Sequence, residues 1–231
     1  MTDELDALPP FRPTAQKPLA GLTVLVVDDS RVASEAIRLI CLRSGARVRR
    51  ADSLASAHRH LGVYRPAVVI VDMGLPDGSG GDLIRALDQA TPRVPALIGM
   101  SGSLTAEAQA RAAGSDGFLA KPVESVEVFQ QVLLAALPSA LRPSGLRLVQ
   151  TDAVQPDPVA LAEDLLNASD LLKDARISGA FGYPLHFLRG VAQSAHDREL
   201  ETAVSGLDGA PPPAALARIE RLLSHRLGAT G

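Results

Sequence analysis

The stretch AVVIVDMGLPDGSGG, residues 67–81, constrains this chain most: an unbroken apolar run stops at Asp72 and gives way to a loop of Gly, Pro and Asp. Val69, Ile70 and Val71 lack any polar alternation, the pattern of a strand covered on both faces in a parallel sheet. Such a strand delivers its last side chain to the carboxyl edge of the sheet, where open parallel sheets bind their ligands. A lone Asp in that position more often caps a turn. Asp72 gains weight because other strand ends carry chemistry too.

The same grammar repeats along the chain. LTVLVV, from Leu22, ends in Asp28 and Asp29, and Ser30 can cap a helix reaching about Ser44, where Gly45 stops it. Residues 46–51 alternate like an edge strand, and 53–61 carry helical character before the central strand at 67–72. Beyond it come a helix over about 80–90, a strand at 95–100, a helix near 104–113, a strand at 116–120 and a helix from Val123 to about Leu137. Strands alternating with helices predict an α/β fold for residues 21–137: a five-stranded doubly wound parallel sheet, flavodoxin-like, of order 2-1-3-4-5.

The flanks read differently. Residues 1–20, with Pro9, Pro10, Pro13 and Pro18, are expected to be a flexible extension, and 138–158, with Pro138, Pro143, Pro156 and Pro158, a linker. Residues 159–228 carry four amphipathic segments, typified by Leu161, Leu165, Ala168 and Leu172, and predict a small all-α bundle. So small a bundle is marginal alone, so it should pack on the first domain, on a partner, or on a second copy as a homodimer.

Composition excludes several functions. The net charge is −3, and residues 158–231 hold seven Lys or Arg against nine acids, which disfavours a nucleic-acid partner. At 3% aromatic residues there is no platform for stacking bases. Cys41 is the single cysteine, no run is long enough to cross a membrane, and the N-terminus lacks the pattern of a signal peptide. A cytoplasmic protein without membrane contact is expected.

Asp28, Asp29, Asp72, Ser101 and Lys121 all follow predicted strands and should converge on one edge. Three carboxylates held together repel one another unless a cation joins them, and a hard ion that takes few carboxylates is Mg²⁺. Such a site can accept a phosphoryl group, the cations neutralising its oxygens while a carboxylate attacks in line.

TVLVVDDS, VVIVDMGLPDGSG, GMSGS and GFLAKP together resemble the receiver domain of two-component response regulators. Their order and separations, 43 (72 minus 29), 29 (101 minus 72) and 49 (121 minus 72), make the likeness specific. The resemblance implies that Asp72 accepts phosphate from a histidine kinase or phosphotransfer protein. It further implies that Asp28, Asp29, Asp72 and the Gly74 carbonyl hold Mg²⁺, that Lys121 pairs with a phosphoryl oxygen, and that Ser101 and Phe118 form a switch read by a downstream signalling protein. HFLRG, residues 186–190, resembles the core of histidine phosphotransfer domains, which implies a phosphorylatable His186 steadied by Arg189, with Gly190 admitting a partner. Pro184 is expected to open that helix, leaving His186 in its first turn. The expected function is non-enzymatic signalling through a helical module that does not bind DNA. The runners-up are phosphate relay through His186 and, from another class, a Mg²⁺-dependent phosphohydrolase.

Overall fold

The computed structural model describes residues 13–103, 105–143 and 153–229. Five parallel strands, β1 (Thr23–Val27), β2 (Arg47–Ala51), β3 (Val68–Asp72), β4 (Ala96–Ser101) and β5 (Gly117–Ala120), form one sheet in the order β2-β1-β3-β4-β5. Helices α1 (Arg31–Arg43), α2 (Leu54–Leu61), α3 (Gly80–Asp88), α4 (Ala106–Ala112) and α5 (Val126–Ala136) alternate with them. The predicted doubly wound sheet is therefore present, with a short hairpin, Gly74–Leu75 against Gly78–Ser79, added after β3.

Period-two alternation divides the core into two layers. Val24 and Val26 of β1 join Ile37, Ile40, Phe129 and Leu133 on one face, whereas Leu25 and Val27 join Ala57, Leu83 and Ile84 on the other. Both faces are buried, which is why the central strands show unbroken apolar runs. Ser30, Ser53 and Ser125 accept from backbone N–H groups at the starts of α1, α2 and α5, so the sequence marks where these helices begin.

Four further helices follow: α6 (Pro158–Ser178), α7 (Gly182–Ser194), α8 (Arg198–Val204) and α9 (Pro213–Ala229). Asp157 caps α6 with Pro158 in its first turn, and Gly179, at φ 77°, ends it in the left-handed conformation. The predicted stripes meet: Leu165, Leu172, Leu188, Leu200, Ile219 and Leu223 share one buried cluster. Among the described residues no helix is long and apolar enough to cross a membrane.

Three local readings need correction. Leu19 is wholly buried in the α1/α5 layer and its N–H donates to the Ser44 carbonyl, so the end of the proline-rich extension is core. Proline content over 1–20 hides that Leu19 and Ala20 prolong the apolar run of β1; residues 1–12 lie outside the described residues. Val154, within the expected linker, is buried in the same layer and pairs with the Glu124 carbonyl, while 144–152 lie outside the described residues. Helix α7 opens at Gly182 and not at Pro184, putting His186 in its second turn. Proline is tolerated throughout a first turn, where N–H groups have no helical acceptor.

Candidate functional site

Strand ends assemble the site. Asp28 and Asp29 leave β1, Asp72 ends β3, Ser101 ends β4, and Lys121 follows β5, its N–H donating to the Ser101 carbonyl. Their side chains meet: Lys121 Nζ lies 3.0 Å from Asp28 Oδ2 and 3.0 Å from Asp72 Oδ2, with all three side chains buried. One oxygen from each of Asp28, Asp29 and Asp72 falls within 4.8 Å of the others.

The electrostatics are those of an acidic cluster short of cations. Burial pushes the Asp28 carboxyl up to about 7, and the repulsion of Asp72 and Asp29 adds to it while Lys121 opposes. Burial likewise raises Asp29 to about 6, against a hydrogen bond from Tyr183 and the charge of Lys121. Burial lowers the Lys121 pKa, but the charges of Asp28, Asp72 and Asp29 outweigh it, raise it overall and hold the ammonium charged. Three carboxylates against one ammonium leave a net deficit of positive charge, and Asp72 Oδ1 is buried with no hydrogen-bond partner among the described residues. A divalent cation with oxygen ligands fits both facts.

The remaining predicted residues sit nearby. Ser101 is buried, and its hydroxyl accepts from the Ser103 N–H. Phe118, half-buried on β5, packs against the α2/α3/α4 layer. Gly74 begins the short hairpin two residues past Asp72. The Lys121–Pro122 bond is cis.

Residues 24–133 match the family model for the response regulator receiver domain. This segment is a receiver domain. The chain is 32% identical over 136 residues to a Mycobacterium tuberculosis protein described as "Probable transcriptional regulatory protein TcrX", the match covering 58% of each. It is 37% identical over 101 residues to "Response regulator protein PilR" of Pseudomonas aeruginosa, covering 43% of this chain and 23% of that one. The chain thus spans little more than half of the first relative and under a quarter of the second. The solved chemotaxis response regulator CheY4 of Vibrio cholerae is 22% identical with a TM-score of 0.46, covering 50% of this chain and 98% of that one.

The helices beyond the receiver domain reach into its acidic cluster. The Tyr183 hydroxyl donates to Asp29 Oδ2. The imidazole of His186 fills the space that a Cβ on Gly74 would need, and it lines one cavity with Asp72 and Lys121. Burial lowers the His186 pKa, against the opposing charge of Asp72 and helped by those of Lys121 and Arg189, which favours the neutral ring. Gln193 donates to the Gly102 carbonyl at 3.5 Å, and its Oε1 is seated where a Gly102 side chain would be. Asp164 of α6 accepts from Ser30 Oγ, Arg31 N and Val32 N at 2.9 to 3.0 Å, and so caps α1 from outside the receiver domain.

Arg189 and Gly190, expected beside His186, belong to the same cavity. Arg189 lines that cavity, and its guanidinium donates to the Val204 and Leu207 carbonyls beside it. A Cβ on Gly190 would meet nothing within 4 Å, so packing within this chain does not require a glycine there. The helical face of His186 and Gln193 was readable from spacing, whereas Tyr183 and Asp164 were missed. The signals available were an aromatic one turn before His186 and an acid beside the apolar stripe of α6.

Proposed function

We propose that the chain is a response regulator that accepts a phosphoryl group on Asp72 and passes its state to another protein through α6–α9. The observation that carries this reading is the buried pairing of Lys121 with both Asp28 and Asp72, which leaves a second Asp72 oxygen without a hydrogen-bond partner among the described residues. That carboxylate attacks phosphorus in line, forming an acyl phosphate as the bond to the donor's leaving group breaks and its electron pair departs with that group. Lys121 neutralises phosphoryl oxygens. Ser101, whose hydroxyl accepts from Ser103, keeps its own proton to donate to the new group, and Phe118, packed at the edge of the α2/α3/α4 layer, is the ring that responds. Mg²⁺ held by Asp28, Asp29, Asp72 and the Gly74 carbonyl supplies further charge neutralisation when bound.

Receiver domains interact with histidine kinases or phosphotransfer proteins, and either is the donor here. The balance of seven basic against nine acidic residues over 158–231 argues for a protein target over DNA. Acetyl phosphate with Mg²⁺ should add one phosphoryl mass to the wild type and none to Asp72→Asn. Steady turnover of a generic phosphomonoester would instead favour the hydrolase reading.

A second reading, relay through His186, draws support from the imidazole lying in the cavity of Asp72 and Lys121. The engagement of the Arg189 guanidinium by the Val204 and Leu207 carbonyls weighs against it. Its mark would be an acid-labile phosphate absent from His186→Ala.

A further inference from the structure

We propose that the outer edge of β2 is a docking strip for an extended acidic segment of a partner protein. Charge is unevenly spread over this chain. Residues 43–65 hold six arginines and one acid, Asp52, a net +5 in a chain of net −3, so the remaining residues together carry −8. Arg43, Arg47, Arg49, Arg59 and Arg65 are exposed, and none of them pairs with a carboxylate among the described residues. Arg50 alone of the six does so, with Glu35. Arginines elsewhere, such as Arg38, Arg93, Arg111 and Arg226, are matched to acids.

The backbone of the strip is open as well. β2 ends the sheet and has β1 as its one neighbour, which also separates it from β3 and Asp72. The Arg47 N–H donates to the Leu22 carbonyl and the Ala51 carbonyl accepts from the Asp28 N–H, so residues 47, 49 and 51 turn their backbone groups inward. Those of Val48 and Arg50 face outward, ready to pair with an added strand. Arg47 and Arg49 lie on one face of β2, where carboxylates at every second position of that strand would meet them. Two other occupants fit less well. The β2 edge of a second copy would set arginine against arginine. A nucleic-acid duplex would carry its charge past a five-residue strand onto a surface of opposite balance. Leu42 and Val63, exposed apolar side chains close to Arg43 and Arg65 in the chain, add contact that suits a protein rather than a phosphate backbone.

The test titrates the isotope-labelled full chain with a short capped peptide of alternating Glu and Thr. Binding should shift the resonances of residues 47–51 and slow exchange of the Val48 and Arg50 amides. A matching peptide with Gln for every Glu should bind the unaltered protein about tenfold more weakly, and Arg47→Gln with Arg49→Gln should weaken the Glu peptide by about threefold or more. Absence of saturable binding, equal binding of the Gln peptide, protection at amides other than those of β2, or tighter binding of duplex DNA would each overturn the strip.

Discussion

Tyr183 donates its hydroxyl hydrogen bond to Asp29, so a side chain from the C-terminal helices is tied directly to the acidic cluster of the receiver domain. Burial and the nearby Asp29 charge hold the phenol well above its usual range, so it stays protonated and serves as donor. The helices thereby engage one carboxylate of the three that could together hold a divalent cation.

Removing that competitor should strengthen ion binding. A hydrogen bond to a charged group contributes about 1.5–3 kcal/mol, so Tyr183→Phe should lower the Mg²⁺ dissociation constant by about tenfold or more in calorimetric titration. An unchanged or weaker affinity would mean that Tyr183 helps to position Asp29 for the ion.

The metal-free protein should lose stability as pH rises. Asp28 and Asp29 have folded-state pKa values raised to about 7 and about 6 from 3.8, so the folded state binds protons more tightly than the unfolded chain. Their stabilising contribution is complete below about pH 4 and is lost as pH climbs to about 7, by an amount on the order of a few kcal/mol. Urea unfolding in chelator at pH 5.5 and pH 8 should show this loss, Mg²⁺ should reverse it at pH 8, and Asp28→Asn should abolish most of it.

Lys121 offsets the buried carboxylates of Asp28 and Asp72 and the half-buried one of Asp29, and taking it away leaves them uncompensated. Lys121→Met should cost about 3–5 kcal/mol of unfolding free energy in chelator, with a smaller loss in Mg²⁺. Equal losses in the two conditions would separate Lys121 from the ion site.

Gly74 and His186 should be energetically coupled, because the imidazole fills the space a Gly74 side chain needs. Gly74→Ala overpacks the contact and should destabilise the protein by about 1–3 kcal/mol, whereas His186→Ala makes room for the new methyl. A double-mutant cycle should return a favourable coupling near 1 kcal/mol between the two alanines; additivity would place the ring elsewhere.

The receiver half was legible because its signals are local: Val69–Val71 are apolar on both faces, Ser30 stands where α1 begins, and Asp28, Asp72, Ser101 and Lys121 each follow a strand. Sheet topology then brings these strand ends together with no further information. Leu19 and Val154 escaped because burial of a single apolar residue leaves no periodicity to detect. Tyr183 and Asp164 escaped for another reason. Their partners lie 154 and 134 positions away, and nothing in a helix's own pattern says which surface its polar face will meet. Packing of the small bundle on the first domain is one of three expected outcomes, and the contacts of Asp164, Tyr183 and Gln193 show it.

The most direct measurement is to locate the phosphate. Full-length protein treated with acetyl phosphate and Mg²⁺, reduced with borohydride to trap the acyl phosphate and fragmented by mass spectrometry, should carry the mark at Asp72 alone. A mark at Asp28, at Asp29 or on His186, with Asp72 unmodified, would contradict the account.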